Sequence, residues 1–364
     1  MSRAVDGREL NIGSREALKG KRTIPQRIRV VLPFMSAILL FVIIAAVSVG
    51  TVYVPLDRAF RIILANMGFL KDQTLPQDQN SIIFLVRLPR VLIACLSGGA
   101  LAACGAVMQG MFRNPMADPG ILGVSSGAGL GAVIAITLGF AAQSIYLLPL
   151  FASVGAILAV ATIYLLSLRK GKISPLTLIL SGIAVSTFIG AFTQFVLTNS
   201  NTYELHKFVF WTMGGLNGMM WEQVRRITAP VIILLLILMA FSRDLNLMQL
   251  GEEEAQSVGL DPSRTRKLLL LTASLLTACA ISVCGPIGFV GLIVPHIMRL
   301  ITGPDHRILI PASALGGSIF LVSCDIISRL PANGEISVGI ITSMLGAPYF
   351  LYLLIKTRKE GGIF

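Results

Sequence analysis

The stretch QGMFRNPMADPGILG, Gln109–Gly123, sets Arg113, Asn114, Pro115, Asp118 and Pro119 between two long uncharged runs. Val91–Phe112 before it carries no charged residue, and Pro119–Leu168 after it is uncharged for 50 residues. At about 20 residues per crossing, the first run holds one membrane helix and the second holds two. The polar cluster is then a turn between spans, with its prolines breaking the helix and Asn114 and Asp118 offering oxygens to freed backbone amides. Arg113 is expected to pair with Asp118 or to meet lipid phosphate.

Working outward, the same count gives spans in Val30–Leu56, Ile173–Tyr203 and Ile227–Ser242. Leu268–Met298 is read as two helices broken at Gly285-Pro286, and Ile308–Cys324 and Ile336–Ile355 complete a set of ten. The chain of 364 residues is 54% hydrophobic and 13% charged, where a soluble domain carries about a quarter charged. The fold class predicted is therefore an all-α polytopic membrane protein with both termini on one side. With those termini in the cytoplasm, inner segments collect 21 Lys and Arg and outer segments 9, which fixes the orientation. Residues 1–29 form a basic cytoplasmic tail, not a cleavable leader. Residues 30–357 form the membrane domain, with a cytoplasmic loop at 243–267, and 358–364 form a second tail.

The net charge of +12 follows from this bias, so it does not point to nucleic acid. Five cysteines lie in or beside apolar runs without metal spacing and read as free, packed thiols; no metal or other cofactor is expected. The spans hold almost no carboxylate or histidine of the kind an ion-coupled carrier uses. No phosphate-binding G-x-x-x-x-G-K-[ST] loop and no hydrolytic motif occurs, so no catalytic residue is assigned. Small residues recur four apart at Gly123, Gly127 and Gly131, and at Gly98 and Ala102, which favours close helix packing.

Leu250–Leu270, in the longest inner loop, reads as two short helices. Glu252–Glu254 suit the start of the first, Gly259 its left-handed end, and Asp261-Pro262 the start of the next. A solvated loop and a docking element for a cytosolic motor both fit. Asn201–Arg226, on the outer side, mixes aromatic and polar residues as an interfacial helix does, with His206 on its surface. The fifth span is unusually polar, with Thr187 and Gln194 among residues that either line a wet path or bond to neighbouring helices.

Several ordered pieces together resemble the FecCD permeases, the membrane subunits of ABC importers for iron–siderophores, haem and cobalamin. They are Arg87-Leu88-Pro89-Arg90, Gln109–Gly123, Gly251–Leu260, Gly285–Arg299, Gly303–Arg307 and Gly334–Phe350. Met116, Val258 and Ser337 depart from the residues usual in that family. The resemblance implies a permease pairing with a second copy or a paralogue, a cytoplasmic ATPase dimer, and an extracytoplasmic substrate-binding (lipo)protein. It makes Arg87, Arg90 and Arg329 outer-rim residues that dock the binding protein. It makes Gly251, Glu252, Glu253, Ala255, Gly259 and Leu260 the ATPase-coupling helix. Pro175 and Leu176 match the region that narrows the inner exit, and with Thr187 and Gln194 they are the candidate path and gate residues.

The expected protein is thus a non-catalytic permease of the bacterial cytoplasmic membrane, with ATP hydrolysed by the partner. Iron(III)–siderophore is the expected cargo, because it is the commonest in that family and not because a residue selects it. Cobalamin or haem import is the alternative, and an ion-coupled secondary transporter is the rival from another class.

Overall fold

The computed structural model describes residues 24–50, 52, 54–66, 68–69, 76–169, 172–173, 175–331 and 334–359. The expected N-terminal tail lies outside them except for residues 24–29, which open the first helix. Of the C-terminal tail, 358 and 359 close the last helix, and the rest lies outside.

Along the chain the elements begin with α1 (Ile24–Ser48), α2 (Leu56–Asn66) and α3 (Gln77–Ser81). A π-helical stretch, Ile82–Arg87, runs without a break from α3 into α4 (Leu88–Phe112). A short 3-10 turn at Pro119–Leu122 leads to α5 (Val124–Thr137), α6 (Phe140–Gln143) and α7 (Leu147–Ser167). A two-residue antiparallel hairpin, β1 (Leu168–Arg169) and β2 (Lys172–Ile173), joins α7 to α8 (Pro175–Thr198). Then follow α9 (Thr202–Thr212), α10 (Trp221–Ala240), α11 (Ser242–Leu250) and α12 (Glu252–Ser257). The last four are α13 (Pro262–Cys284), α14 (Val290–Thr302), α15 (His306–Ser328) and α16 (Val338–Lys359).

Among the described residues, seven helices are long and apolar enough to cross a membrane. Three shorter apolar helices, Val124–Thr137, Val290–Thr302 and Val338–Leu353, stand where the sequence predicts the other spans. Two boundaries differ from expectation. The second span does not start at Val91, because the helix runs through Arg87 and Arg90, whose charges are taken up inside the protein. The sixth starts at Trp221, not Ile227: its polar first turn is helical, with the Gln223 side chain accepting from the Met220 amide at 3.0 Å. The outer helix α2, absent from the sequence reading, buries Ala59 and Ile62 beneath a polar face.

α4 is the axis of the bundle. Almost all its residues are buried, as expected for a helix apolar on every side. Glycine lets its neighbours come to backbone contact: a Cβ on Gly98 would strike the Gly317 carbonyl of α15, and one on Gly105 the Gly291 carbonyl of α14. α5 and α7 meet in the same way at Gly127 and Gly155. In lipid, where no hydrophobic effect pulls helices together, such close approach supplies the packing.

Candidate functional site

At the outer end, two arginines, Arg87 and Arg329, converge on the C-terminus of α1, and a third, Arg90, joins them through Asp325. Arg87 Nη1 donates to the carbonyls of Val47 and Ser48, both at 2.9 Å, and its Nη2 donates to Val52 O. Arg329 Nη1 donates to Ala46 O at 3.0 Å and Val49 O at 3.1 Å. Cations on the unsatisfied carbonyls of a helix end also oppose its dipole. Arg90 Nε lies 2.8 Å from Asp325 Oδ1 and its Nη1 2.7 Å from Glu335 Oε2. Arg329 Nη2 completes the ring 3.0 Å from Asp325 Oδ2. Asp325 is fully buried, and the arginines are 6–7% exposed.

The three arginines expected at the outer rim are engaged within the chain. They knit the end of α1, the start of α4, the end of α15 and the segment before α16 into one cluster. Sequence reasoning missed Glu335, whose position 245 residues from Arg90 gives no local signal.

At the inner end, α4 stops at Arg113, which takes a left-handed conformation with φ of 50°. Asn114 Oδ1 accepts from the Met116 amide at 2.8 Å, and Asp118 Oδ1 from the Gly120 amide at 2.7 Å, so both side chains tie the turn as predicted. Burial pushes the Asp118 carboxyl above its usual range, opposed by that amide. Pro119 opens the 3-10 turn, and the Gln109 side chain donates to Leu292 O in α14 at 2.9 Å. The expected Arg113–Asp118 pair is not made. The left-handed cap turns Arg113 away, and its Nη2 donates instead to Met248 O in α11.

α11 is held from a second side. The Asn246 amide nitrogen donates to Asp305 Oδ1 at 2.8 Å, while its oxygen accepts from the His306 backbone at 3.0 Å. The same oxygen faces His306 Nδ1 at 2.8 Å, which assigns the hydrogen to Nδ1. His306 is fully buried against Gly110 of α4. α11 is therefore fastened to the inner ends of both α4 and α15. Neither Asn246 nor His306 was singled out from the sequence.

α11 leads directly into α12, the segment expected to couple to an ATPase. Gly251 has φ of 152° and makes the corner between them. Ala255 is the one fully buried anchor of α12, and its carbonyl accepts from the Leu260 amide at 3.0 Å. Gly259, with φ of 86°, ends the helix as predicted, and Asp261 caps α13 through the amides of Ser263 and Arg264. Glu252 pairs with Arg266 at 2.5 Å. Glu253 and Glu254 are exposed, flanked by two exposed apolar side chains, Leu250 (70%) and Val258 (63%).

Of the candidate path residues, Pro175 and Leu176 open α8. Leu176, Thr187 and Gln194 are exposed on it, with the Thr187 hydroxyl returned to Ile183 O at 2.9 Å. α8 and the outer half of α16 both leave large apolar side chains uncovered, Phe188 and Met344 among them. α9 carries a reciprocal Asn201–Glu204 cap at its start. Beyond its end, Gly215 N donates to Cys284 O at 2.8 Å and Gly339 N to Gly214 O at 3.1 Å. An open groove of about 550 Å³ lies there, between Thr212, Pro286, Gly288 and Ser343. Among the described residues no cluster of His, Cys, Asp and Glu is arranged to hold a metal ion.

A family model described as the FecCD transport family matches residues 38–356. The cobalamin import system permease protein BtuC of Halobacterium salinarum is 48% identical over 281 residues, covering 77% of this chain and 74% of that one. The hemin transport system permease protein HmuU of Yersinia pestis is 41% identical over 280 residues, covering 76% and 83%. Among solved structures, an inward-facing metal-chelate type ABC transporter superposes with a TM-score of 0.79 at 32% identity, covering 90% of this chain and 99% of that one.

Proposed function

Because this chain belongs to the FecCD transport family, and so is a multi-pass permease subunit of an ABC importer, we propose that it imports an intact metal chelate. The cargo proposed first is iron(III)–siderophore, handed over by an extracytoplasmic binding protein. The permease itself moves the cargo, and the separate ATPase hydrolyses ATP.

The observation that carries this reading is α12. A short cytoplasmic helix with exposed acids, flanked by the exposed Leu250 and Val258, fits a partner surface. Its lead-in helix is bolted to α4 through Arg113 and to α15 through Asn246. Motion imposed on Gly251–Leu260 by the ATPase would thus reach the bundle axis directly. A second permease chain would cover the uncovered faces of α8 and α16, with Thr187 and Gln194 near the path between the two.

Docking of the binding protein is proposed at the outer arginine cluster. Arg90 carries a buried Nη2 without a hydrogen bond among the described residues, and its Nη1 is held by the partly exposed Glu335. A partner carboxylate would compete with Glu335 for this guanidinium. Glu335→Gln is therefore expected to tighten docking several-fold, by up to about 1 kcal/mol for a partly exposed pair; unchanged affinity in a binding assay removes the proposed exchange.

Cobalamin is the second reading, favoured by the 48% identity to a permease named for it. Uptake by a deletion strain, complemented with this chain and offered labelled ferric siderophores, haem and cobalamin, separates the cargoes. Dependence of cobalamin alone on the protein would reject the siderophore.

A further inference from the structure

Three helices enclose an apolar cavity in the inner half of the bundle that the transport reading does not use. α7 contributes Ile157 and Val160, α8 contributes Leu178, and α13 contributes Leu271 and Leu275, around a volume of about 250 Å³. For scale, an engineered apolar cavity of roughly 150 Å³ accepts benzene. Its outer wall is open to the surface of the bundle, where Ile157 and Leu271 are half-exposed.

Two features are not apolar. Ser274 is 3% exposed and lines the cavity, and its hydroxyl makes no hydrogen bond among the described residues. Helical hydroxyls ordinarily bond back one turn. Those of Thr272 and Thr277 on the same helix do so, each at 2.8 Å. Two turns nearer the cytoplasm, about 10 Å away, Lys267 stands at the mouth. Its Nζ lies 5.6 Å from the centre of the Tyr164 ring. Among the described residues, no acidic side chain lines the cavity. The segment that joins α7 to α8 carries Arg169, Lys170 and Lys172 in the sequence, and β2 packs against α13.

We propose that this cavity is a binding site for an anionic phospholipid of the inner leaflet. One acyl chain fills the apolar part, an ester carbonyl accepts from Ser274, and the headgroup phosphate sits at Lys267. The occupant is argued from charge: Lys267 stands at the mouth with no acid among the described lining residues to offset it, and each basic group near a bilayer surface attracts anionic lipid by about 1 kcal/mol.

The test is native mass spectrometry of the full-length permease in complex with its ATPase subunits. Dioleoyl-phosphatidylglycerol and dioleoyl-phosphatidylcholine are supplied at equal concentration. The wild type is expected to retain one phosphatidylglycerol per chain, favoured over phosphatidylcholine by about fivefold. Lys267→Gln should erase that preference, Lys267→Arg should keep it, and Ala161→Phe, which fills the cavity, should remove both lipids. Equal retention of the two lipids by the wild type overturns the proposal, as does a preference that survives Lys267→Gln. Retention of detergent alone, or Ala161→Phe altering chain pairing while leaving lipid in place, assigns the cavity to another occupant and also overturns it.

Discussion

Asp325 has no exposure to solvent and answers two guanidinium groups, Arg90 and Arg329. Removing one member of such a buried set leaves an uncompensated charge, at a cost of about 3–5 kcal/mol. Asp325→Ala is therefore expected to lower the thermal unfolding midpoint in detergent sharply. Glu335→Gln, at the partly exposed end of the same cluster, should change it little. The three arginines were singled out through the resemblance to the FecCD permeases. Their engagement was not legible: Arg90 finds Asp325 across 235 residues, and Arg87 finds bare carbonyls that any sequence would offer. The same holds for Arg113, whose acceptor, Met248 O, has no side-chain identity to read.

At the scale of elements, local chemistry was the better guide. Gly285-Pro286 does separate α13 from α14, and Asp261-Pro262 does start α13. Both follow from properties of two or three adjacent residues. α2 was missed because its polar residues resemble loop composition, and only the packing of Ala59 and Ile62 makes it a helix; the first turn of α10 was read as part of the interfacial segment Asn201–Arg226 and not as the start of the sixth span. Two tests belong here. Gly105→Leu would drive a side chain into the backbone of α14 and is expected to abolish the folded protein or cost more than about 3 kcal/mol, read by the unfolding midpoint. Asp305, which caps α15, has its carboxyl held down to about 2 from 3.8, first by the hydrogen bond from Arg307. Between those values the unfolded chain binds more protons than the folded one, so this cap's contribution is complete above about pH 4 and fades as pH falls toward 2. Asp305→Asn should flatten the acid side of the stability profile, measured by the unfolding midpoint against pH.

For the whole molecule, Arg113 of the turn at Gln109–Gly123 joins the end of α4 to α11, the helix that leads into α12. Arg113→Ala or Asn246→Ala is expected to reduce cargo moved per ATP hydrolysed several-fold, within the about 0.5–2 kcal/mol by which such contacts modulate coupling. Reconstituted vesicles with the ATPase and binding protein measure this; an unchanged transport-to-hydrolysis ratio excludes the joint from transmission. The all-α membrane bundle was visible in the spacing of charges alone, whereas the fastening of α11 to two distant helix ends required the three-dimensional path.

The buried axis also has a consequence for biogenesis. α4 is synthesised early, yet the groups that satisfy it, Gly317, Gly291, the Leu292 carbonyl and Asp325, are made roughly two hundred residues later. With ribosomes adding about 5–20 residues per second, this interval lasts on the order of ten seconds or more. Throughout it, Arg90 and Gln109 lack their final partners. The nascent chain must wait with its central helix uncovered, so the last third of the sequence completes the fold of the first.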